Sequence, residues 1–354
     1  MIYEDLSRRN LPNVLGSSAN IENWPQRRKE ILELLAREVY GVSPPAPDKT
    51  VSNIVFEDEN AWGGKATHRE VALTFPTDRG DFSFDCDMVI PKSEKKLPLF
   101  VHISFEKYPS GKHCPIEEII DSGFALASFC YKDITGDNKD FSSGLAGMFE
   151  RDESPWQWGK ISLWVYAASR VMDYVCGLSE IDKKAITVVG HSRLGKTALW
   201  CAAQDERFAA VVSNNSGCSG AALSRGKKGE SVKDITGRFP FWFCENYKKY
   251  ASAESTMPFD QHFLLALIGP RPLYVASAQF DKWADPYSEF LSCLAVSEVY
   301  DLLGFKGLKH ENRFLNPGEC LHEGNIAYHL RPGCHYLSRY DWQRFTKYFS
   351  KKLI

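Results

Sequence analysis

Ala185-Ile-Thr-Val-Val-Gly-His-Ser-Arg-Leu-Gly-Lys-Thr-Ala-Leu-Trp200 is the stretch that decides the fold of this chain. Ile186 to Val189 is a short β-branched run of the kind that forms a buried strand of about four residues. Gly190-His-Ser-Arg-Leu-Gly195 then turns, and Lys196 to Ala203 continues in good helix formers. Strand, Gly-x-Ser-x-Gly and helix in that order make a nucleophile elbow with Ser192 at its tip. The two glycines are required because side chains beside so sharp and strained a turn would clash. The turn lifts the Ser192 hydroxyl clear of the sheet. It also aims backbone N–H groups and a helix N-terminus at the reacting oxygen. The pentapeptide alone is common; the apolar strand before it and the Ala/Leu-rich helix after it make it specific.

Outward from the elbow, strands and helices alternate. Upstream, Trp24 to Tyr40 carries a helical apolar stripe of Ile31, Leu34, Leu35 and Val39, closed by Gly41 and a Pro44-Pro-Ala-Pro47 linker. Val51–Glu57, His68–Phe75 and Phe82–Ile90 read as an antiparallel meander. Leu97–Phe105 is a central strand with a Pro- and Gly-containing loop after it. In a hydrolase sheet that loop supplies part of the oxyanion hole, although it lacks the Gly-rich form used by lipases. Ile116–Asp121 is a short helix, Phe124–Cys130 a strand, and Lys160–Cys176 an apolar helix. The long polar stretch Tyr131 to Gly159 between them is too long for a tight turn and predicts an excursion over the active-site face.

Downstream come a strand at Phe208–Asn214, an irregular aromatic stretch from Leu223 to Phe259, and a short helix at Asp260–Leu267. A strand at Arg271–Ala278, a helix at Tyr287–Val296, a strand at Glu323–His329 and a closing helix at Tyr340–Lys352 complete the chain. This alternation predicts an α/β-hydrolase fold, a mostly parallel sheet between helices, in a single catalytic domain spanning 1–354, with residues 1–50 wrapped around its core.

Composition narrows the function classes. The 354 residues carry 43 Lys+Arg against 45 Asp+Glu, a net charge of −2, which excludes nucleic acid or an anionic membrane as the main partner. With 44% hydrophobic residues a large core is available, yet no apolar run reaches the roughly 20 residues of a membrane span. Met1-Ile-Tyr-Glu-Asp-Leu-Ser-Arg-Arg9 lacks the parts of a signal peptide. The expected location is therefore cytoplasmic if Met1 is the natural start, and secreted or periplasmic if a leader precedes it. None of the ten cysteines forms a C-x-x-C pair, so no zinc knuckle is expected. Cys130, Cys176 and Cys201 lie in apolar runs and read as free buried thiols, favouring a reducing compartment. No metal or cofactor is expected, and the chain reads as a monomer.

A serine nucleophile needs a base, and the base needs an orienting acid; in this fold they follow in the order Ser, acid, His. The acid slot follows the strand ending at Ala278, where Asp281 and Asp285 stand. Asp281 lies nearer the strand end, and Asp285-Pro286 reads as a helix cap, so Asp281 is preferred and Asp285 is the alternative. His335 follows the last strand and precedes the closing helix, the place of the base. His329 reads as a packed core histidine and His322 as solvent-facing. His191 adjoins the nucleophile and points elsewhere.

Several spaced blocks share one resemblance. Gly190-His-Ser-Arg-Leu-Gly-Lys196, Ser213-Asn-Asn-Ser-Gly-Cys-Ser-Gly-Ala-Ala222, Gly229-Glu-Ser-Val232 and Phe239-Pro-Phe-Trp-Phe-Cys244 are four of them. Ala278-x-x-Asp281-x-Trp283-Ala-Asp-Pro286 and Gly333-x-His335 are the others. Together they resemble the bacterial glucuronoyl esterases of carbohydrate esterase family 15, over about Trp156 to the C-terminus. The resemblance implies a metal-free α/β-hydrolase that cleaves esters between the glucuronic acid of xylan and lignin alcohols.

It further implies Ser192 as nucleophile, His335 as base, and Arg193 as a charged oxyanion donor. It also implies that Lys196 and Glu230 bind sugar hydroxyls and that Trp283 lies against the ring. Taken singly, these last three would read as an exposed first-turn lysine, a solvated loop acid and an ordinary core tryptophan. One position departs from the family pattern: many members place the acid, a Glu, where this chain has Asn215. An amide orients an imidazole but does not stabilise its positive charge, so the acid is sought at Asp281. The rival readings are an acetyl-xylan or feruloyl-type esterase and an inactive carbohydrate-binding relative.

Overall fold

The computed structural model describes residues 2–16, 20–107 and 113–353. Ten strands form one sheet: β1 Val51–Asn60, β2 Ala66–Thr77, β3 Gly80–Pro91, β4 Leu97–Ser104, β5 Ala125–Cys130, β6 Ile181–His191, β7 Ala210–Asn214, β8 Leu273–Ala278, β9 Cys320–Leu321 and β10 Ile326–Arg331. Their order is β1-β2-β3-β5-β4-β6-β7-β8-β10-β9. The run β5-β4-β6-β7-β8-β10 is parallel, and the meander and short β9 close the two ends antiparallel.

The parallel strands are covered on both faces, which is why they read as continuous apolar runs; every residue of β4, β5, β7 and β8 is buried. Side chains alternate between two cores with the period of the pleat. Leu99, Val101, Ile103, Ile186 and Val188 face helices Lys160–Val175 and Arg193–Gln204. Phe100, Leu126, Val189, Val212 and Tyr274 face helices Ile116–Asp121 and Arg339–Lys352. This is the mostly parallel, helix-flanked sheet of an α/β-hydrolase. β1 sits at the open edge with all ten residues exposed. No helix among the described residues is long and apolar enough to cross a membrane.

Several boundaries differ from the sequence expectations. β6 begins at Ile181 because backbone pairing with β4 carries the strand through the polar Asp182-Lys-Lys184, whose side chains a short apolar run does not reveal. The last strand lies further on, at Ile326–Arg331, in continuous parallel register with β8. A second helix, Ser297–Leu302, follows Pro286–Ala295. The stretch from Leu223 holds a helix, Val232–Arg238, announced by a Ser231/Asp234 capping box.

All ten cysteines are free, with Cys130 and Cys201 buried and Cys176 only half-buried. His322 is not solvent-facing: it is half-buried and its Nε2 lies 2.7 Å from the Tyr274 hydroxyl.

Candidate active site

The elbow forms as its glycines dictate. Ser192 holds φ 57° and ψ −125°, a conformation that most residues avoid. A Cβ on Gly190 would meet the Leu194 carbonyl oxygen at 1.9 Å, so no other residue fits there. Gly195 packs more loosely, its Cβ position 3.1 Å from Ser216 Cβ. The Ser192 N–H donates to Asn214 O at 2.8 Å, tying the turn to the end of β7.

Two later loops bring the rest. The loop after β8 carries Asp281 and the loop after β10 carries His335. They are stitched together by Gln279 N–H to Arg331 O at 2.8 Å and Phe280 N–H to Gly333 O at 3.0 Å. Arg331 shapes the second loop from inside: its guanidinium donates to the carbonyls of Pro332, Cys334 and Tyr336 at 3.0, 2.9 and 2.8 Å. Its Nε donates to the buried Asp341 at 3.1 Å. His335 Nδ1 lies 2.6 Å from Asp281 Oδ2, and the side chains are 43% and 4% exposed. The Asp281 carboxyl is therefore sealed behind a histidine that still reaches the cleft.

Burial pushes the Asp281 carboxyl up, but the bond and charge of His335 and the Asn215 amide outweigh it, leaving the carboxyl below its ordinary range. Asn215 Nδ2 donates to the same Asp281 oxygen at 2.7 Å.

Asp285 does not face His335. It caps helix Pro286–Ala295, accepting from Ser288 N–H at 3.3 Å and Ser288 Oγ–H at 2.6 Å, and from Lys228 N–H at 2.8 Å. His329 is fully buried between Tyr274 and Asp341, as its strand position implied. His191 does not point away from the site: its ring centroid is 4.5 Å from that of His335, and its Nδ1 is 2.6 Å from Asn214 Oδ1. Burial, reinforced by the neighbouring His335, lowers its pKa to about 3, so it forms an uncharged wall beside the candidate base.

Ser192, Asp281 and His335 share a cleft of about 280 Å³ with Arg193, Lys196, Asn215, Glu230 and Trp283. Ordinary expectations for the three polar or aromatic wall residues fail together. Lys196 and Glu230 are buried, at 4% and 8% exposed, whereas Trp283 is 50% exposed. Lys196 Nζ donates to Ser216 O; burial lowers its pKa, and the Glu230 charge opposes that shift. Burying a lysine costs several kcal/mol in the absence of compensating polar partners, so its place in a cleft wall calls for a polar neighbour. Glu230 is pressed onto the Asp281 loop through its N–H to Trp283 O at 3.0 Å. A Cβ at Gly229 would meet Lys282 O at 2.4 Å. Ser216, Gly217, Arg238, Phe239, Trp242 and Ala284 complete the lining.

Three residues beside the site carried no sequence signal for their place. Asn215 is marked by resemblance alone, Arg331 falls in the loop beyond the expected strand Glu323–His329, and Asp137 stands in the polar excursion. Asp137 ion-pairs with Arg193 and accepts from Trp242 Nε1–H at 2.7 Å.

A family model described as glucuronyl esterase of fungi matches residues 74–304. A carbohydrate esterase from an unknown prokaryotic organism is 34% identical over 91% of this chain and 83% of its own. A solved glucuronoyl esterase from Solibacter usitatus superposes with a TM-score of 0.89 at 34% identity, over 96% of this chain and 97% of that one. A 4-O-methyl-glucuronoyl methylesterase of Schizophyllum commune (strain H4-8) is 26% identical over 80% of this chain and 70% of its own. The fold and the cleft define an α/β-hydrolase laid out as a serine carboxylic ester hydrolase. With matches over so much of the chain, the narrower class follows: the chain belongs to the glucuronoyl esterase family, carbohydrate esterase family 15.

Proposed function

We propose that this protein hydrolyses esters of glucuronic or 4-O-methyl-glucuronic acid of the kind that join xylan to lignin alcohols. The observation that carries the reading is the 2.6 Å His335–Asp281 pair on one cleft with Ser192, walled by a buried lysine, a buried glutamate and an exposed tryptophan. A uronate ester presents ring hydroxyls that need a donor and an acceptor, which Lys196 and Glu230 supply. Its C–H face packs on an aromatic ring, which Trp283 offers.

The reaction is a two-step acyl transfer. His335 Nε2 takes the Ser192 hydroxyl proton as Oγ attacks the C6 carbonyl, and Asp281 stabilises the imidazolium that forms. Backbone N–H groups at the start of helix Arg193–Gln204, with the Arg193 guanidinium, hold the tetrahedral oxyanion. His335 returns the proton to the departing alcohol. A water, deprotonated by His335, then attacks the acyl-serine and frees the uronic acid and Ser192.

The experiment is turnover of glucuronate methyl ester beside its galacturonate epimer and nitrophenyl acetate. Preference for the glucuronate ester supports the reading. Preference for the acetyl ester favours an acetyl-xylan type of esterase, and no turnover of any ester favours a binding protein.

A further inference from the structure

The Arg193 side chain is long, and a guanidinium helps an oxyanion only if one edge faces it before the charge develops. Three groups converge on Asp137, a residue of the polar excursion between β5 and helix Lys160–Val175. Arg193 Nη1 pairs with its Oδ2, which also accepts from the Tyr131 hydroxyl at 3.1 Å, and its Oδ1 accepts from Trp242 Nε1–H at 2.7 Å. The Asp137 side chain is only 13% exposed, so the pair is little screened by solvent.

Aromatic rings close the other sides. The guanidinium carbon lies 4.8 Å from the Trp242 ring centroid, 5.6 Å from Phe239 and 5.7 Å from Phe105. Phe239 and Trp242 are themselves stacked at 3.9 Å and 1°, and both line the cleft with Ser192 and Arg193. Among the described residues, Arg193 Nε is buried with no hydrogen-bond acceptor. The Arg193 side chain as a whole is 25% exposed and lines the cleft with Ser192, so it reaches the substrate space although Nε is sealed off.

We propose that Asp137 is a positioning residue for the reaction: it anchors Arg193 through Nη1 so that the guanidinium is held at the cleft wall within reach of the substrate oxygen. The inference rests on the oxyanion reading of Arg193. Asp137 touches no reacting atom; it acts through Arg193, and Trp242 and Tyr131 hold Asp137 in turn. The excursion between β5 and the following helix thereby completes the oxyanion site from outside the elbow.

The test is a double-mutant cycle on the full chain. Asp137→Ala and Asp137→Asn are made alone and together with Arg193→Ala, reading kcat and KM for glucuronate methyl ester. Asp137→Ala alone is expected to lower kcat about 10- to 100-fold while KM moves less than about threefold. In the Arg193→Ala background the same change is expected to cost less than about threefold. Equal losses in both backgrounds, or a rise in KM with kcat intact, overturn the inference while leaving the oxyanion reading in place. If Arg193→Ala alone leaves kcat unchanged, the oxyanion reading fails and this inference with it. Asp137→Asn keeps the shape of the side chain and decides the cycle by the same criteria if the alanine variant does not fold.

Discussion

Asn215 and His335 both donate to one oxygen of Asp281, at 2.7 and 2.6 Å. The amide therefore sits beside the imidazole on the same carboxylate. It stands at the end of β7, where its own N–H donates to Ala276 O of β8 at 2.7 Å, so it is rigidly placed. With two donors on Oδ2 the carboxylate is held in one rotamer and kept ionised.

Removing that carboxylate charge is the first test. Asp281→Asn is expected to lower kcat by about 10³- to 10⁴-fold, because the imidazolium loses its counter-charge and its tautomer. Adding Asn215→Glu to that variant restores a carboxylate close to the same position and is expected to recover part of the loss. Rates on glucuronate methyl ester check both; a loss under about tenfold from Asp281→Asn removes Asp281 from the mechanism.

Asp285 provides the contrasting control. As a helix cap it is expected to affect stability alone: Asp285→Ala loses the cap, at about 1 kcal/mol, and strains a backbone at φ 65°. Urea unfolding measures the stability loss, and kcat per folded molecule is expected to stay within about twofold of the parent. A kcat collapse at full folding would exchange the roles of the two aspartates.

Arg331 links the His335 loop to the core. Arg331→Met leaves Asp341 buried without one of its charge partners and is expected to cost about 3–5 kcal/mol in unfolding free energy. Arg331→Lys retains the charge but loses the fork that reaches three carbonyls, so the His335 loop loosens. For that variant a kcat loss of about tenfold with a small change in Tm is expected. Unchanged kinetics in Arg331→Lys would show that the loop holds its shape without the fork.

Acid stability follows from buried histidines. Burial lowers the pKa of His102 and His191 to about 3 and of His262 and His322 to about 4. Below the unfolded value of 6.5 the unfolded chain binds protons that the folded chain does not, so each group removes stability as pH falls towards its folded value. The slope is about 1.4 kcal/mol per pH unit per group. Glu289 opposes this: burial raises it to about 7, so it adds stability as pH falls from 7 to its unfolded 4.5. Four groups against one predict a net loss of stability from pH 6.5 to 4.5, read by urea unfolding at each pH. A flat or rising stability over that window contradicts the assignment of these histidines as buried and neutral.

Much of this architecture is legible in the order of residues. The elbow could be read because its constraints are local: an apolar strand, two glycines and a helix within one short segment, each enforced by steric contact along the chain. The parallel sheet could be read from its buried strands for the same reason, since a strand covered on both faces has no polar alternation. Strand ends were harder. Asp182-Lys-Lys184 looks like a loop until β4 pairs with it, and a capping box was the sole local mark of helix Val232–Arg238.

The site divides along the same line. Ser192, and the slots after β8 and β10 that hold Asp281 and His335, follow from local pattern and chain order. The Asp285 cap is equally local, closed by Ser288 three residues on, but the 2.6 Å approach of Asp281 to His335 depends on the two loops being stitched through Arg331 and Gly333. Burial of Lys196 and Glu230, the His191 ring against His335, and the hold of Asp137 on Arg193 also join segments far apart in the chain. Charge–charge and hydrogen-bond energies depend on distance in space and on the exclusion of water, and neither is written into the spacing of residues along a chain; both arise when the sheet brings the loops together.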